Sequence, residues 1–302
     1  ISIWNYGTSS IEGQMGKISY SQFSQWDKCP QMWKLNYVDK VGTFTGNIFT
    51  IFGSALHETI QAYLVCYYER TIKEADALPL DDILLYRMKE NYKESSERHK
   101  DNFEVTKEEM AEFYKDGLDI IEEFLKRKSR HFKKKDTELV GIEMNLNFEL
   151  PQDMRFVGFM DVVLHDKKTG RMRIIDIKTS TMGWNKYMKA DKNKTNQLLL
   201  YKHFMSKQLD ISEDKIDVEY FILKRRLYEN MMYPQKRLQS FSPASGKPSV
   251  NRVMTRLQEF IDDCYDDKGK VINKEYVKMA SAKNCKYCEF KTKADLCDRN
   301  KK

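Results

Sequence analysis

The sequence lacks any apolar run approaching the roughly 18 residues a membrane-spanning helix needs, so no helical membrane protein is expected. Ile1 to Ser10 carries neither a basic stretch nor an apolar one, so no signal peptide is expected there and the expected location is the cytoplasm. Internal repeats and low-complexity tracts of useful length are missing too. Cysteine is sparse, with six in 302 residues, and in a chain of this length the default reading is reduced, buried thiols rather than a disulfide framework. A strong excess of one charge is also absent. Fifty-two Lys and Arg against 45 Asp and Glu leave a net charge of +7, which suits a polyanionic partner without requiring one. What is present, 41% hydrophobic and 32% charged residues, fits a globular protein, either one large domain or a core with an insertion.

The periodicity gives an order of elements. Ser21 to Lys28 reads as a short helix, with Phe23 and Trp26 on one face and Ser19 or Ser21 as the N-cap. Cys29-Pro30 ends it, because proline disfavours helix in the residue before it. Phe52 to about Arg70 is amphipathic, with Leu56, Ile60, Tyr63, Leu64 and Tyr67 at helical spacing. Asp81 to Lys135 reads as a charged helical insertion. The period then becomes two: Val140, Ile142, Met144, Leu146, Phe148 and Leu150 alternate with other residues, as a strand requires. Strands follow at Phe156–His165 and Arg171–Ile177, joined by a polar, glycine-ended turn. A helix over 194–208, a strand over 216–222, a loop over Ser240–Ser249 and a helix over 250–265 complete the chain. The expected fold is a mixed α/β sheet flanked by helices. The expected division is an N-terminal segment (1–50), a helix with its helical insertion (51–135), the core (136–240) and a C-terminal, cysteine-rich segment (241–302).

Asp161 lies within the second of these strands and Asp176 near the end of the third. A carboxylate inside paired strands is costly to desolvate, and two neighbouring carboxylates repel unless a cation lies between them. A hard divalent ion such as Mg²⁺ or Mn²⁺ meets both requirements with oxygen ligands. Lys178, two residues beyond Asp176, projects to the same face of the strand and sets an ammonium beside that ion. Taken alone, Asp-x-Lys is equally a surface ion pair. Three further features accompany it: His57, four residues after Gly53; Gly158, three before Asp161; and Gln197 with Tyr201, at i and i+4 on one helix face.

In this order, His57, Gly158-x-x-Asp161, Asp176-x-Lys178 and Gln197-x-x-x-Tyr201 resemble the motif set of the RecB-like branch of the PD-(D/E)XK nucleases. The resemblance runs from Ser19 to Cys297 and implies a restriction-endonuclease-like core. It implies His57, Asp161, Asp176 and the Ile177 carbonyl as metal ligands and Lys178 as the catalytic lysine. Gln197 and Tyr201 are implied to contact DNA or support the site. Glu143, on the first strand, is either an outer-shell carboxylate or an ordinary exposed strand residue. The implied activity is Mg²⁺- or Mn²⁺-dependent DNA hydrolysis, exonucleolytic on single strands or ends. The setting would be recombination, repair or phage DNA metabolism in a bacterial or phage-infected cell, with recombination or replication proteins as partners. A non-catalytic DNA-binding scaffold is the alternative from another class. A restriction-type endonuclease ranks lower, since no separate target-recognition domain is evident.

Cys66 and Cys264 fall within helical patterns and fit the buried-thiol reading. Cys29, Cys285, Cys288 and Cys297 do not. By spacing, Cys-x-x-Cys favours Zn²⁺ over an iron–sulphur cluster. The resemblance favours the cluster, because one cysteine before the core and three behind it is similar to the 4Fe-4S nucleases of CRISPR adaptation and the AddB type. The eight residues between Cys288 and Cys297 depart from that pattern. Lys186, Lys189, Lys192 and Lys194, interleaved with Trp184 and Tyr187, form a basic surface suited to single-stranded nucleic acid. Thr179 and Ser180 are placed for phosphate contact, and Lys224, Arg225 and Arg226 are expected to face the same cleft.

Overall fold

The computed structural model describes residues 16–42, 46–98 and 103–297, so the Ile1–Ser10 segment lies outside the described residues. Strand β1 (Gly16–Ser19) runs directly into α1 (Tyr20–Lys28), whose first turn is capped by the Ser19 hydroxyl accepting from the Gln22 amide. Cys29 is extended, and α2 (Pro30–Trp33) starts on the proline and continues as a π-turn to Val38. Helix α3 (Ile48–Glu69) opens four residues before its apolar period, because Asn47 and Thr50 form a reciprocal capping box. Helix α4 (Ile72–Asp76) leads to α5 (Leu80–Arg98) and α6 (Lys107–His131), so the expected insertion is a set of separate helices.

Strands β2 (Thr137–Leu150), β3 (Met154–Asp166) and β4 (Arg171–Ser180) follow. The β3–β4 turn closes on Gly170, whose φ of +66° is a conformation glycine adopts without steric cost. The lysine-rich segment, expected as a connector, contains α7 (Lys186–Ala190), capped by the Asn185 side chain. Helix α8 (Lys192–Gln208) then precedes β5 (Ile216–Lys224) and β6 (Leu238–Phe241). The expected loop over 240–249 is shorter than its composition implies. Pro248 sits in the first turn of α9 (Lys247–Cys264), where its missing N–H has no intrahelical partner to lose. The tail ends in α10 (Ala282–Cys285) and a 3-10 turn.

The six strands form one sheet in the order β1-β3-β4-β5-β6, with β2 along the other edge of β3. On one face, Phe23, Trp26, Phe204, Leu257 and Phe260 from α1, α8 and α9 pack on Phe156 and Met160 of β3 and Ile174 of β4. On the other, Phe52, Leu56, Leu84, Ile120 and Phe124 from α3, α5 and α6 pack on Val162, Ile175 and Phe221. The result is the mixed sheet between helical layers that the restriction-endonuclease-like expectation describes.

One feature of the sheet creates the site. Strand β2 pairs with β3 along nearly all of its length, whereas the opposite edge of β3 is shared. There β1 pairs with Met154–Val157 and β4 with Val162–Asp166. Between them, Gly158 to Asp161 have no partner strand on that edge among the described residues. The sheet forks there.

Candidate metal and nuclease site

The fork opens into a cleft of about 810 Å³, lined by Ser19, His57, Glu143, Asp161, Lys178 and Tyr201, among others. At its floor both strands of the β2–β3 pair change the layer they serve. Ile142 and Val162, paired across the strands, pack with the α3 layer, while the next pair, Met144 and Met160, packs with the α8 layer. Glu143 lies at the switch and adopts φ +48°, a left-handed conformation that is costly for a side-chain-bearing residue inside a strand. Strain of this kind persists where the surroundings enforce it, and here it turns Glu143 into the cleft opposite Asp161.

His57 comes from the third turn of α3. Its Nε2 lies 3.4 Å from Glu143 Oε1 and 3.5 Å from Asp161 Oδ2. Ligand atoms of His57, Glu143 and Asp161 all lie within 4.8 Å of one another, the one set of three or more His, Cys, Asp or Glu with that spacing among the described residues. Gln61, one turn along from His57 on the same helix face, holds the group. Its Nε2 donates to Glu143 Oε1 (2.7 Å) and to the Asp161 carbonyl (3.1 Å), and lies 2.7 Å from His57 Nε2.

Asp161 Oδ2 also accepts from the Ile177 amide at 2.7 Å. The antiparallel ladder ends at Val162–Ile175, and beyond it the Asp161 carboxylate takes the β4 donor that a paired strand would otherwise have used. Ile177 thus meets the site through its N–H; the carbonyl expected as a ligand has no described contact with the triad. Asp176 is 1% exposed. Its Oδ1 accepts from Lys178 Nζ at 3.1 Å, and its Oδ2 lies 2.9 Å from the same ammonium without hydrogen-bond geometry, so that buried oxygen has no hydrogen-bond partner.

The electrostatics ask for a cation. Burial pushes the Asp161 carboxyl well above its usual range, and the Asp176 charge pushes it further; Lys178 and the Ile177 amide oppose this without prevailing. Burial lowers His57, against the pull of Glu143 and Asp176, and so favours the neutral imidazole that ligates metals. Burial also works against the Lys178 charge, but Asp176, Asp161 and the Asp176 hydrogen bond outweigh it, and the ammonium is held above its ordinary value. Three carboxylates thus face one lysine. With a neutral imidazole alongside, and an Asp176 oxygen that is ion-paired to Lys178 but accepts no hydrogen bond, this donor set fits a hard divalent ion.

The glycines of the motifs have packing reasons. A Cβ on Gly158 would lie 3.0 Å from the Tyr201 ring, and one on Gly53 would lie 3.1 Å from Thr179 Oγ1. Their absence lets α8 and α3 close on the two sides of the fork. Gln197 Nε2 donates to the Tyr201 hydroxyl at 3.1 Å, and both side chains line the cleft.

Other sequence candidates lie elsewhere. The Ser180 hydroxyl is engaged with Gly183, accepting from its N–H at 3.1 Å. Lys186 and Lys189 belong to α7, with their ammonium groups over the Tyr187 and Phe241 rings. Arg225 and Arg226 do not face the cleft. Arg225 is 7% exposed and binds Glu112 and Asp116 on α6, and Arg226 also binds Glu112, so both tie the sheet to the helical layer. Gln61, Glu58 and Ser19–Ser21 line the cleft without having been singled out as site residues in the sequence. Gln61 alone carried a signal, its i+4 spacing from His57.

The four cysteines converge where the C-terminal tail meets the end of α1. The Met279 amide lies 3.4 Å from Cys29 Sγ, Asn284 Nδ2 donates to the Lys28 carbonyl at 2.8 Å, and the Gln31 amide donates to the Val277 carbonyl. Burial raises the Cys297 thiol, and Cys29, Cys288 and Cys285 raise it further. Cys264 is buried, Cys66 half-buried, and both are helical.

A search of the curated proteins finds no match. A crystal structure of a Eubacterium rectale protein, provisionally named an exonuclease, is similar at a TM-score of 0.45 and 11% identity, covering 87% of this chain and 85% of that one. The family model for the PD-(D/E)XK nuclease superfamily matches residues 17–293, which span the sheet from the second residue of β1 to β6 and contain every member of the cleft described above. The chain belongs to the PD-(D/E)XK nuclease superfamily.

Proposed function

We propose that the protein is a metal-dependent deoxyribonuclease of the RecB-like branch, an exonuclease acting on single-stranded DNA or DNA ends in recombination, repair or phage DNA metabolism. The observation that carries this reading is the meeting of His57, Glu143 and Asp161 at the fork, next to the ion pair between buried Asp176 and half-buried Lys178. His57, Glu143 and Asp161 would hold a Mg²⁺ or Mn²⁺ ion, with Asp176 supplying a further carboxylate. When bound, such an ion neutralises the scissile phosphate and lowers the pKa of a water. Lys178, held charged by Asp176, orients the attacking water and offsets negative charge growing on phosphorus. Gln61 keeps His57 and Glu143 in place, and Tyr201, braced by Gln197, forms the opposite wall against the DNA. The α7 lysines Lys186 and Lys189 add a basic flank for the strand, with Thr179 and Ser180 at the end of β4.

The proposal includes a 4Fe-4S cluster on Cys29, Cys285, Cys288 and Cys297. Convergence of the four thiols favours a shared ligand. A cluster is favoured over a single zinc by the placement of one cysteine ahead of the core and three behind it, with one thiolate for each of four irons. Its role is a staple that closes the chain between Cys29 and Cys285 and lowers the entropy of the unfolded state.

The test is cleavage of end-labelled single- and double-stranded DNA with Mn²⁺, using wild type beside Asp176→Ala and Lys178→Ala. Wild-type cleavage lost in both variants is the expected result. Cleavage that persists unchanged in both contradicts this active site.

A further inference from the structure

Phe159 is 57% exposed in the middle of a strand whose neighbours Met160 and Asp161 are 0% and 9% exposed. It belongs to neither buried hydrophobic cluster, and it lines the cleft among side chains that are mostly polar. Phe156 and Met160 point to the α8 layer, so Val157 and Phe159 project from the other face of β3, where Asp161 also meets the α3 histidine. The α3 layer covers that face only as far as Val162 and Ile142. Beyond Glu143 the face is open: Asn145 and Asn147 on β2 are exposed, and Asn145 is the cross-strand partner of Phe159.

A single exposed phenylalanine is ordinary on a protein surface. This one is two residues, about 7 Å along a strand, from a proposed metal ligand, within a nucleotide's reach of a phosphate held there. A phenyl face offered beside a phosphate site has one natural occupant, a nucleobase with a free π-face. Bases inside a duplex are stacked on both sides and cannot use it. Resting on the deoxyribonuclease reading, we infer that Phe159, with the Asn145 amide at its edge, forms a stacking subsite for an unpaired base next to the scissile phosphate, and that this subsite selects single-stranded DNA.

The probe is a single-stranded oligodeoxynucleotide carrying 2-aminopurine at successive positions from its end, bound in Ca²⁺ to wild type, Phe159→Ala, Phe159→Trp and Lys178→Ala. Wild type quenches the fluorophore at one position. Phe159→Ala loses that quench and binds roughly 5- to 150-fold more weakly, the range expected for one base stack. Phe159→Trp retains both. The thermal midpoint of Phe159→Ala stays at the wild-type value, since the ring is more than half exposed. Equal affinity and equal quench in wild type and Phe159→Ala overturn the subsite. Lys178→Ala keeps the quench and loses Mn²⁺-dependent cleavage. Wild type that quenches but never cleaves overturns the nuclease reading alone, and wild type that does not bind the oligonucleotide overturns both.

Discussion

The cleft and the cysteine end each gather side chains from distant parts of the chain, by opposite means. At the cleft the donors stand on regular elements: His57 on a 22-residue helix, Glu143 and Asp161 on paired strands, with Gln61 and the Ile177 amide already bonded to them. At the cysteine end, Cys285, Cys288 and Cys297 follow a stretch with little regular structure, docked by a few hydrogen bonds and by Tyr276 and Phe290. The cleft is built by the fold before any ion arrives. Under the proposed cluster, the tail depends on what its cysteines bind. On that reading one metal site is a product of folding and the other a cause of it.

The largest effect should come from setting catalysis against stability in the cleft. Asp161→Asn should lower Mn²⁺-dependent cleavage by roughly 10²- to 10⁴-fold, since it removes a ligand and a charge. The same change should leave metal-free thermal stability unchanged or slightly raised, because an ionised Asp161 is disfavoured by burial and by Asp176. A cleavage assay and thermal melts on the same preparation test both, and a large loss of stability would mean that the cleft is not preformed. Cys288→Ser should do the reverse. It should destabilise the tail, seen as faster proteolysis between Cys264 and Cys297 and loss of the visible absorbance of the proposed cluster, while Mn²⁺ binding at the cleft persists.

The pH dependence sharpens the contrast. Asp161 is raised in the folded metal-free protein, so its contribution to stability is fully present below the unfolded pKa and is lost as pH rises through the folded one. A divalent ion displaces the same proton. Mn²⁺ affinity should therefore rise with pH, by up to about tenfold per unit for one proton, and level off above the folded-state pKa. Titration calorimetry in buffers of different ionisation enthalpy reads the proton directly. An affinity independent of pH over that window would contradict the protonated, preformed site.

The smallest effect concerns packing. Gly158→Ala places a methyl group 3.0 Å from the Tyr201 ring, and a displaced ring loses its bond to Gln197. Cleavage should fall several-fold with metal affinity unchanged; a matching fall in Tyr201→Phe would assign the loss to that hydroxyl.

The sequence made some of this legible and hid the rest for physical reasons. Asp161, Asp176, Lys178 and His57 stand out because charged groups in strands, or a histidine behind a glycine on an apolar helix, break a local pattern. The β2–β4 strands and α8 follow from period and turn chemistry. Glu143 was obscured by the strict alternation seen in β2. That alternation does not persist in the strand, because a register shift between Leu139 and Gly141 and the φ of +48° at Glu143 re-aim its side chains. The four-residue strands β1 and β6 are too short to show a period and are held by partners far away in the chain. Arg225 and Arg226 read in the sequence as facing the cleft. Their partners Glu112 and Asp116 lie more than a hundred residues earlier, beyond the reach of any local rule.

Anomalous diffraction from crystals grown with Mn²⁺ tests the central claim most directly. The account predicts one strong peak at the fork, within bonding distance of His57 Nε2 and the Glu143 and Asp161 carboxylates, with Gln61 released from His57. A peak elsewhere, or an ion at the fork that leaves out both His57 and Asp161, would contradict it.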